Sequence, residues 1–336
     1  MCSLSYFKHT GAKRQNNKQE AIKRTKQVRK DRATAPLLSS FVDVAAKGVS
    51  SSTAENYNTA VRSFTLFCGG GDARLSALNA DSVWAYQQWL HDQGVCPNTS
   101  SCYMRSLRAI YNKAVAKHLV KDKAPFKGVF TGNERTVKRS IGKKEIRRLS
   151  RPLSYRGEAI GIMEMYLDIF LFSFYAMGMP FVDLAHLKRS QVRDGVLTYH
   201  RRKTGQQVKV TLEKCMLDIL TKYAQRESEY LFPILYKVEG GKGGKTVEVS
   251  YSSALNRYNR ALKALARQAG IKQRLTSYVA RHSWASIAYE RNVDLPVISK
   301  ALGHTDTKTT LIYISEIDDR QLAKANRKLL KEIFIP

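Results

Sequence analysis

The sequence predicts a mainly α-helical fold with a small β component, divided between two domains. The length of 336 residues accommodates two ordinary domains. Apolar residues recur at steps of three and four through most of the chain, as in amphipathic helices. One segment, 195–212, changes to the period-two alternation of paired strands.

The charge balance indicates nucleic acid as the partner. The chain holds 57 Lys and Arg against 28 Asp and Glu, which gives a formal net charge of +29. A folded protein tolerates such self-repulsion most readily when it binds a polyanion. Because the excess runs along the whole chain, we expect an extended DNA-binding surface, with a ribosomal-type structural protein as the alternative class.

The cysteines and the apolar segments indicate an intracellular protein. The five cysteines are scattered and lack metal-type pairing, as expected of free thiols in a reducing compartment. The first residues are polar and basic, unlike a secretory signal. The longest apolar run, 169–177, is too short to cross a bilayer, so no membrane partner is expected.

The first half of the chain reads as a basic arm followed by a helical domain. Residues 1–35 hold few core formers and predict either a solvated tail or an arm that follows DNA phosphates. Residues 36–120 predict an all-α domain whose helices begin near 51–53, Asp81 and Pro97. Its basic face offers three candidate DNA contacts, Arg105, Arg108 and Lys113.

A linker and a mixed domain follow. Residues 121–140 carry Pro, Gly and charge without periodicity and predict the linker. The second domain, 141–319, combines helices with a β-hairpin that presents Lys203 at or near its tip. The glycine-rich segment 237–249 is expected to be a flexible loop, and residues 320–336 a C-terminal helix or tail.

The residues with the clearest chemistry lie between 276 and 313. Arg281 falls within an apolar helix, where a guanidinium needs an anionic partner, either a carboxylate or a bound phosphate. His304 follows a predicted helix end at Gly303, where a histidine can also contact terminal carbonyls. Tyr313 lies two helical turns further on; by count alone it is one of 17 tyrosines and could equally be a packing residue. A phenol needs cationic neighbours or a base to attack at neutral pH.

This pattern resembles the tyrosine recombinase (phage-integrase) family, and most of all the integrases and invertases of Bacteroides-type mobile elements. The resemblance covers nearly everything after residue 40. It rests on 98–112, 172–175, 201–207, 279–284 and 302–304, together with Tyr313. It implies an all-α SAM-like core-binding domain followed by an α+β catalytic domain.

The resemblance also implies a reaction and its residues. DNA strands would be cleaved and rejoined through a 3′-phosphotyrosyl intermediate, as in integration, excision or inversion of DNA. Tyr313 would be the nucleophile, Arg281 and His304 would bind the scissile phosphate, and Lys203 would protonate the leaving 5′-oxygen. No metal or nucleotide cofactor is implied.

The implied partners are double-stranded DNA with specific core sites and other copies of the chain. The resemblance predicts a homotetramer on DNA, a monomer or dimer when free, and accessory directionality proteins. The C-terminal tail would dock on a neighbouring protomer. The expected location is the bacterial cytoplasm, at the nucleoid when DNA is bound.

Two positions depart from the family pattern. An arginine usually stands where this chain has Met177, and a histidine commonly stands where it has Tyr278. A tyrosine can still donate a hydrogen bond to phosphate, so Tyr278 is kept as a candidate catalytic residue. A methionine carries no charge. The loss of the usual arginine is therefore expected to reduce activity unless another cation compensates. The nearby candidates are Arg189, Arg193, Arg201 and Arg202, of which the last two are also candidate DNA contacts.

The missing arginine leaves two alternatives to an active recombinase. One is a catalytically weak or inactive DNA-binding regulator built on the recombinase fold. It predicts salt-sensitive DNA binding without covalent attachment. The other, less favoured by the integrase-like stretches, is a type IB topoisomerase, which would relax DNA without regard to sequence.

Overall fold

The computed structural model describes residues 35–134, 136, 139–151, 159–224, 228–239, 246–311, 326–327 and 330. These residues form two compact units, which divide between 136 and 137. The structure is mainly helical with little sheet, which confirms the predicted fold class. Tyr313, the arm up to residue 34 and most of the tail 320–336 lie outside the described residues. None of the described helices is both long and apolar enough to span a membrane.

The first unit is a bundle of four described α-helices. They are α1 Leu38–Ala46, α2 Ser51–Phe67, α3 Ala80–Asp92 and α4 Pro97–Ala116. One apolar core joins them, and within it the rings of Phe64 and Tyr86 meet edge to face, 5.2 Å apart. Residues 121–134 belong to the same unit, because Phe126 is buried in its core and Asn98 exchanges hydrogen bonds with the Glu134 backbone.

Short polar side chains decide where two of these helices begin. The Ser50 hydroxyl accepts the Thr53 N–H, so α2 is capped just before the predicted start. Asn79 and Ser82 form a capping box at α3, with their side chains 3.1 and 3.2 Å from each other's backbone nitrogens. The predicted start at Asp81 therefore lay within the first turn.

The second unit packs its helices around a larger apolar core. The described helices are α5 Lys143–Leu149, α6 Ala159–Tyr175, α7 Phe181–Ala185, α8 Lys214–Lys222, α9 Tyr251–Gln268, α10 Val279–Glu290, α11 Leu295–Ala301 and α12 Thr307–Leu311. Helix α6 contacts both α9 and α10. Phe181, at the start of α7, stacks on Tyr258 of α9 with ring centroids 4.5 Å apart. These contacts position the backbone segments that form the site.

A three-stranded antiparallel sheet holds the predicted hairpin. Its strands, in spatial order, are β1 Val192–Arg193, β2 Val196–His200 and β3 Gln207–Thr211. The hairpin is confirmed, whereas β1 was not predicted. The Asp194-Gly195 turn between β1 and β2 has positive φ at both residues, which is the backbone that a two-residue hairpin turn requires.

The expectation of a loop over 237–249 was wrong at both ends. Strand β4 Lys237–Glu239 pairs with β5 Thr246–Glu248 in an antiparallel ladder, with Val238 opposite Val247. The triplets 237–239 and 246–248 each place a valine between two polar residues, and they flank the glycines. This pattern is typical of a hairpin, whereas the predicted loop relied on the glycine content alone.

Candidate active site

Helix α10 carries Arg281 into the interior of the second unit. The side chain is 2% exposed. Its Nη1 donates to the Gly178 carbonyl at 3.0 Å, and its Nη2 donates to the Leu302 carbonyl at 2.6 Å and lies 2.9 Å from His304 Nε2. These contacts are with backbone carbonyls and an imidazole, and the charge of Arg281 also acts on the Asp183 carboxyl.

The turn after α6 contains a glycine that allows the backbone of α10 to pack directly against the turn. Gly178 has a φ of +71°, and a Cβ there would lie 2.8 Å from the Arg281 Cα. Met177 has a φ of 56°, and its side chain packs against the apolar core. The position where the family pattern has an arginine therefore holds a partly buried apolar side chain.

The end of α11 fixes His304. Gly303 donates its N–H to the Lys300 carbonyl at 2.9 Å, and His304 donates to the Ser299 carbonyl at 3.0 Å. With Gly303 at a φ of +62°, these bonds form the helix ending known as the Schellman motif. The imidazole is thereby placed immediately after the helix, beside the Leu302 carbonyl that Arg281 uses.

His304 is held in one neutral tautomer. A guanidinium has only donors, so Nε2 accepts from Arg281. The proton therefore lies on Nδ1, which donates to the buried Thr310 hydroxyl of α12 at 2.8 Å. Burial, followed by the charges of Arg281, Arg201 and Lys203, lowers the pKa of His304 to about 4. The ring is uncharged at neutral pH.

The lowered pKa of His304 predicts a pH dependence of stability. The unfolded chain binds this proton near the ordinary value of 6.5, whereas the folded chain binds it only near 4. Stability is therefore expected to fall as the pH is lowered from 6.5 to 4. Urea unfolding midpoints measured across this range check this, with His304→Gln as the reference because it keeps every other titratable group. Parallel pH profiles for the two proteins would contradict it.

The β2–β3 turn places one basic side chain inside and one outside. Arg201 is 4% exposed, and its Nη1 donates to the Leu302 carbonyl at 2.6 Å. Lys203 is exposed in the turn, and its charge contributes to lowering the pKa of His304. Thr204 also reaches the Gly303 carbonyl, with its hydroxyl 3.4 Å away. The hairpin tip thus lies against the end of α11.

Asp183 of α7 anchors this turn from behind. Its Oδ1 accepts the Arg202 N–H at 2.9 Å, and its Oδ2 lies 3.6 Å from Arg201 Nε. Burial raises the pKa of this carboxyl above its ordinary value, and the Arg202 N–H and the charges of Arg201 and Arg281 oppose that rise. These contacts give Asp183 an orienting role.

Tyr278 lies at the start of the same helix as Arg281. It is the residue before α10, is 40% exposed, and its ring lies 5.7 Å from that of His282. Tyr278 is thus three residues from Arg281 at the exposed end of the first helical turn. Tyr313 follows Leu311, the last residue of α12, by two positions, outside the described residues.

The five candidate DNA contacts have different surroundings. Arg202 and Arg108 are exposed, the latter 3.2 Å from the Thr131 hydroxyl, and Arg105 is half-buried. Arg201 lies in the interior, not on the surface. The Lys113 ammonium donates to the Ala45 carbonyl at 2.5 Å and lies over the Tyr57 ring. The Lys113 ammonium thus contacts the end of α1, and its role as a DNA contact stays a prediction.

Arg201 is buried although it was also a candidate DNA contact, and that candidate role stays a prediction. Leu197 and Tyr199 of β2 are 0% and 3% exposed, so alternate positions of this strand face the core. Extending that period by one step puts Arg201 on the buried side. The alternation in the sequence could therefore have identified Arg201 as an interior cation.

Two family models match the chain. Residues 140–320 match the phage integrase family, and residues 35–130 match the phage integrase SAM-like domain. The chain belongs to the phage integrase family of tyrosine recombinases. As a member of this family, it is a site-specific DNA recombinase.

Similar proteins include other tyrosine recombinases. Tyrosine recombinase XerD of Pseudomonas putida is 25% identical over 290 residues, covering 83% of this chain and 92% of the relative. Tyrosine recombinase XerA of Pyrococcus furiosus is 28% identical over 184 residues, 53% of this chain and 58% of that protein. The narrower likeness to Bacteroides-type integrases stays a prediction.

Solved integrase structures share the fold. A lambda integrase dimer bound to a COC′ core site has a TM-score of 0.60 at 16% identity, covering 88% of this chain and 81% of that one. A lambda integrase tetramer bound to a Holliday junction also gives 0.60 at 16%, covering 86% and 80%. The Tn1549 transposon integrase in complex with transposon right end DNA gives 0.63 at 11%, covering 88% and 99%.

Proposed function

We propose that this tyrosine recombinase cuts and rejoins DNA at specific core sites with Tyr313 as its nucleophile. The observation that carries the proposal is the partly buried Arg281–His304 contact at 2.9 Å, with the Thr310 hydroxyl of α12 hydrogen-bonded to the other ring nitrogen. Because α12 leads directly to Tyr313, the helix that precedes the proposed nucleophile is tied to the proposed phosphate ligands.

The reaction assigns one role to each group. The Tyr313 oxygen attacks the scissile phosphorus, a P–O bond to tyrosine forms, and the bond to the 5′-oxygen breaks. Lys203 gives its proton to that leaving oxygen. Arg281 and Tyr278 donate hydrogen bonds to the phosphate as its negative charge develops. A 5′-hydroxyl from the partner duplex then attacks the phosphotyrosine and rejoins the strand.

His304 completes the proton balance. When a phosphate takes over the Arg281 donors, Nε2 of the neutral ring is released as an acceptor for the phenol proton of Tyr313. The negative charge of the phosphate also offsets the arginine charges that depress the pKa of His304. The resemblance implies that this histidine donates a hydrogen bond to the scissile phosphate. In this proposal Nε2 first accepts the phenol proton and can donate to the phosphate afterwards.

The proposal extends to the partners. We infer double-stranded DNA with specific core sites as the substrate, with Arg105, Arg108 and Arg202 among the contacts, and a homotetramer as the assembly on DNA. The tail 320–336 would dock on the neighbouring protomer, and accessory proteins would set the direction of integration, excision or inversion. The site of action is the nucleoid in the bacterial cytoplasm.

Covalent trapping tests the proposal. A duplex core site with a nick beside the crossover point loses its short 5′-hydroxyl fragment after cleavage, so the adduct cannot revert. Wild type is expected to form an adduct that survives denaturation, and Tyr313→Phe is expected to form none while binding the same DNA with unchanged affinity. Tyr289→Phe is the matched control, because this tyrosine of α10 packs against a small apolar cluster that α10 forms with Ile298 and Leu302.

Each alternative predicts a different result in this experiment. An adduct that persists in Tyr313→Phe rules out this nucleophile. Specific binding by wild type without any adduct supports the regulator instead. Relaxation of supercoiled DNA that lacks a core site supports the topoisomerase. The family membership favours neither alternative over the recombinase.

A further inference from the structure

Two guanidinium groups meet at one backbone oxygen in the second unit. Arg281 Nη2 and Arg201 Nη1 each donate to the Leu302 carbonyl at 2.6 Å. Their nitrogens therefore cannot be further apart than twice that distance. Arg281 comes from α10 and Arg201 from the end of the β2 strand, so two separate elements deliver positive charge to one point.

The other cations near Met177 in the sequence do not reach this point. Arg189 Nε donates to the Ser228 carbonyl at 2.9 Å, and its Nη2 donates to the Tyr223 carbonyl at 2.6 Å. Arg193 and Arg202 are exposed, on β1 and in the hairpin turn. Among the four candidates, Arg201 is the one whose guanidinium contacts an atom that Arg281 also contacts.

We propose that Arg201 is a catalytic residue, which supplies the second guanidinium for the scissile phosphate in place of the arginine absent at Met177. This inference rests on the proposed function, because it assigns a further phosphate ligand to the same reaction. It makes the site complete in charge, although one of its cations comes from a different part of the chain.

The contacts of Arg201 leave part of its guanidinium available to a ligand. Its Nη1 is used by the Leu302 and Gly303 carbonyls, and its Nε faces Asp183. Among the described residues, the side-chain hydrogen bonds of Arg201 are made by Nη1, and its buried Nε has no hydrogen-bond partner. Because Arg201 and Arg281 share the Leu302 carbonyl as an acceptor, a phosphate bound by Arg201 would lie close to the Arg281 guanidinium.

The packing around Arg201 is as specific as the packing around Arg281. A Cβ on Gly303 would lie 2.5 Å from the Arg201 Cδ, just as a Cβ on Gly178 would collide with Arg281. Each arginine therefore passes close to a glycine backbone. Asp183 offsets part of the repulsion between the two buried positive charges, and a phosphate bound beside them would offset more of it.

A purely structural role for Arg201 is the competing explanation. In that case its guanidinium would only satisfy carbonyls at the end of α11 and hold His304 in place. The two roles differ in their dependence on the charge of the scissile phosphate. A ligand that neutralises phosphate charge becomes dispensable when the phosphate is uncharged, whereas a structural residue does not.

The experiment compares two substrates in single-turnover cleavage. One is the nicked core site, and the other carries a methylphosphonate, which lacks the negative charge, at the scissile position. We expect Arg201→Gln to cleave the phosphodiester ~10²–10³-fold more slowly than wild type, and the methylphosphonate within about tenfold of wild type. The ratio of the two rates in one preparation does not depend on the fraction of folded protein.

A second variant tests the replacement directly. Met177→Arg in the Arg201→Gln background is expected to raise phosphodiester cleavage by at least about tenfold, because it returns a guanidinium to the position usual in the family. Arg193→Gln is the matched control, an exposed arginine of the same sheet, and is expected to leave both rates unchanged.

The outcomes separate the two proposals. If wild type forms the Tyr313 adduct and Arg201→Gln slows both substrates equally, Arg201 is structural and this inference is overturned. Phosphodiester cleavage at the wild-type rate by Arg201→Gln also overturns it. If wild type forms no Tyr313 adduct, the proposed function itself fails. Selective recovery on the methylphosphonate supports Arg201 as a phosphate ligand.

Discussion

Arg281→Gln is expected to lower the single-turnover rate of strand cleavage by about 10³-fold or more, since it removes a charged donor aimed at the developing phosphate charge. It should also reduce the free energy of unfolding by on the order of 3 kcal/mol, because hydrogen bonds from a charged donor to the buried Gly178 and Leu302 carbonyls are lost. Chemical denaturation and trapping on the nicked core site measure the two effects.

The exposed arginine at the other end of the same helix is the control. Arg291 is the residue after α10, and Arg291→Gln is expected to change stability by less than about 0.5 kcal/mol and to leave cleavage unchanged. Arg281→Lys keeps the charge but not the forked geometry, and it should recover little of the rate. Cleavage by Arg281→Gln within tenfold of wild type would contradict a direct role at the phosphate.

Gly178→Ala is expected to destabilise the second unit and abolish detectable adduct formation. The new Cβ would lie 2.8 Å from the Arg281 Cα, and a backbone atom of a buried helix cannot yield as a side chain can. The left-handed conformation at φ +71° costs ~1–2 kcal/mol for a residue other than glycine, and overpacking adds ~1–3 kcal/mol. Thermal and urea unfolding measure the sum.

Gly195→Ala isolates the collision from the backbone conformation. Gly195 has a φ of +72°, but a Cβ there would meet nothing within 4 Å. It should therefore lose only the ~1–2 kcal/mol of the left-handed conformation and keep its activity. Equal losses of stability in the two variants would show that α10 shifts freely, and would contradict a rigid Gly178–Arg281 contact.

Local patterns predicted the elements, whereas the site depended on contacts between distant segments. Apolar spacing identified α2 and α4, and the change of period identified the β2–β3 hairpin, because burial on one face imposes those repeats. The sequence could not identify the Leu302 carbonyl as the shared acceptor of the two arginines, because every residue type has a backbone carbonyl. Arg281 and His304 were recognisable by residue type, but the neutral tautomer depends on Thr310 and on charges brought in from the hairpin.

The proposed replacement of the missing arginine by Arg201 also depends on contacts between segments that are distant in the sequence. Met177 and Arg201 are separated by α7 and two strands, so only the folded chain shows which arginine meets Arg281. The alternation of Leu197 and Tyr199 indicated that Arg201 faces inward. However, this alternation does not identify the distant residues that Arg201 contacts, which are Leu302 and Gly303.

The Leu302 carbonyl means that the centre of the site contains an atom that side-chain substitution cannot delete. A carbonyl oxygen has two lone pairs, and here the two arginines use it together. Alanine scanning would report Leu302, which is 0% exposed, as an ordinary core residue, whatever its backbone does. The position of this oxygen depends on the residues that end α11, above all Gly303, whose positive φ forms the helix ending. Variation in this recombinase is therefore constrained by the shape of a helix ending as much as by its charged side chains.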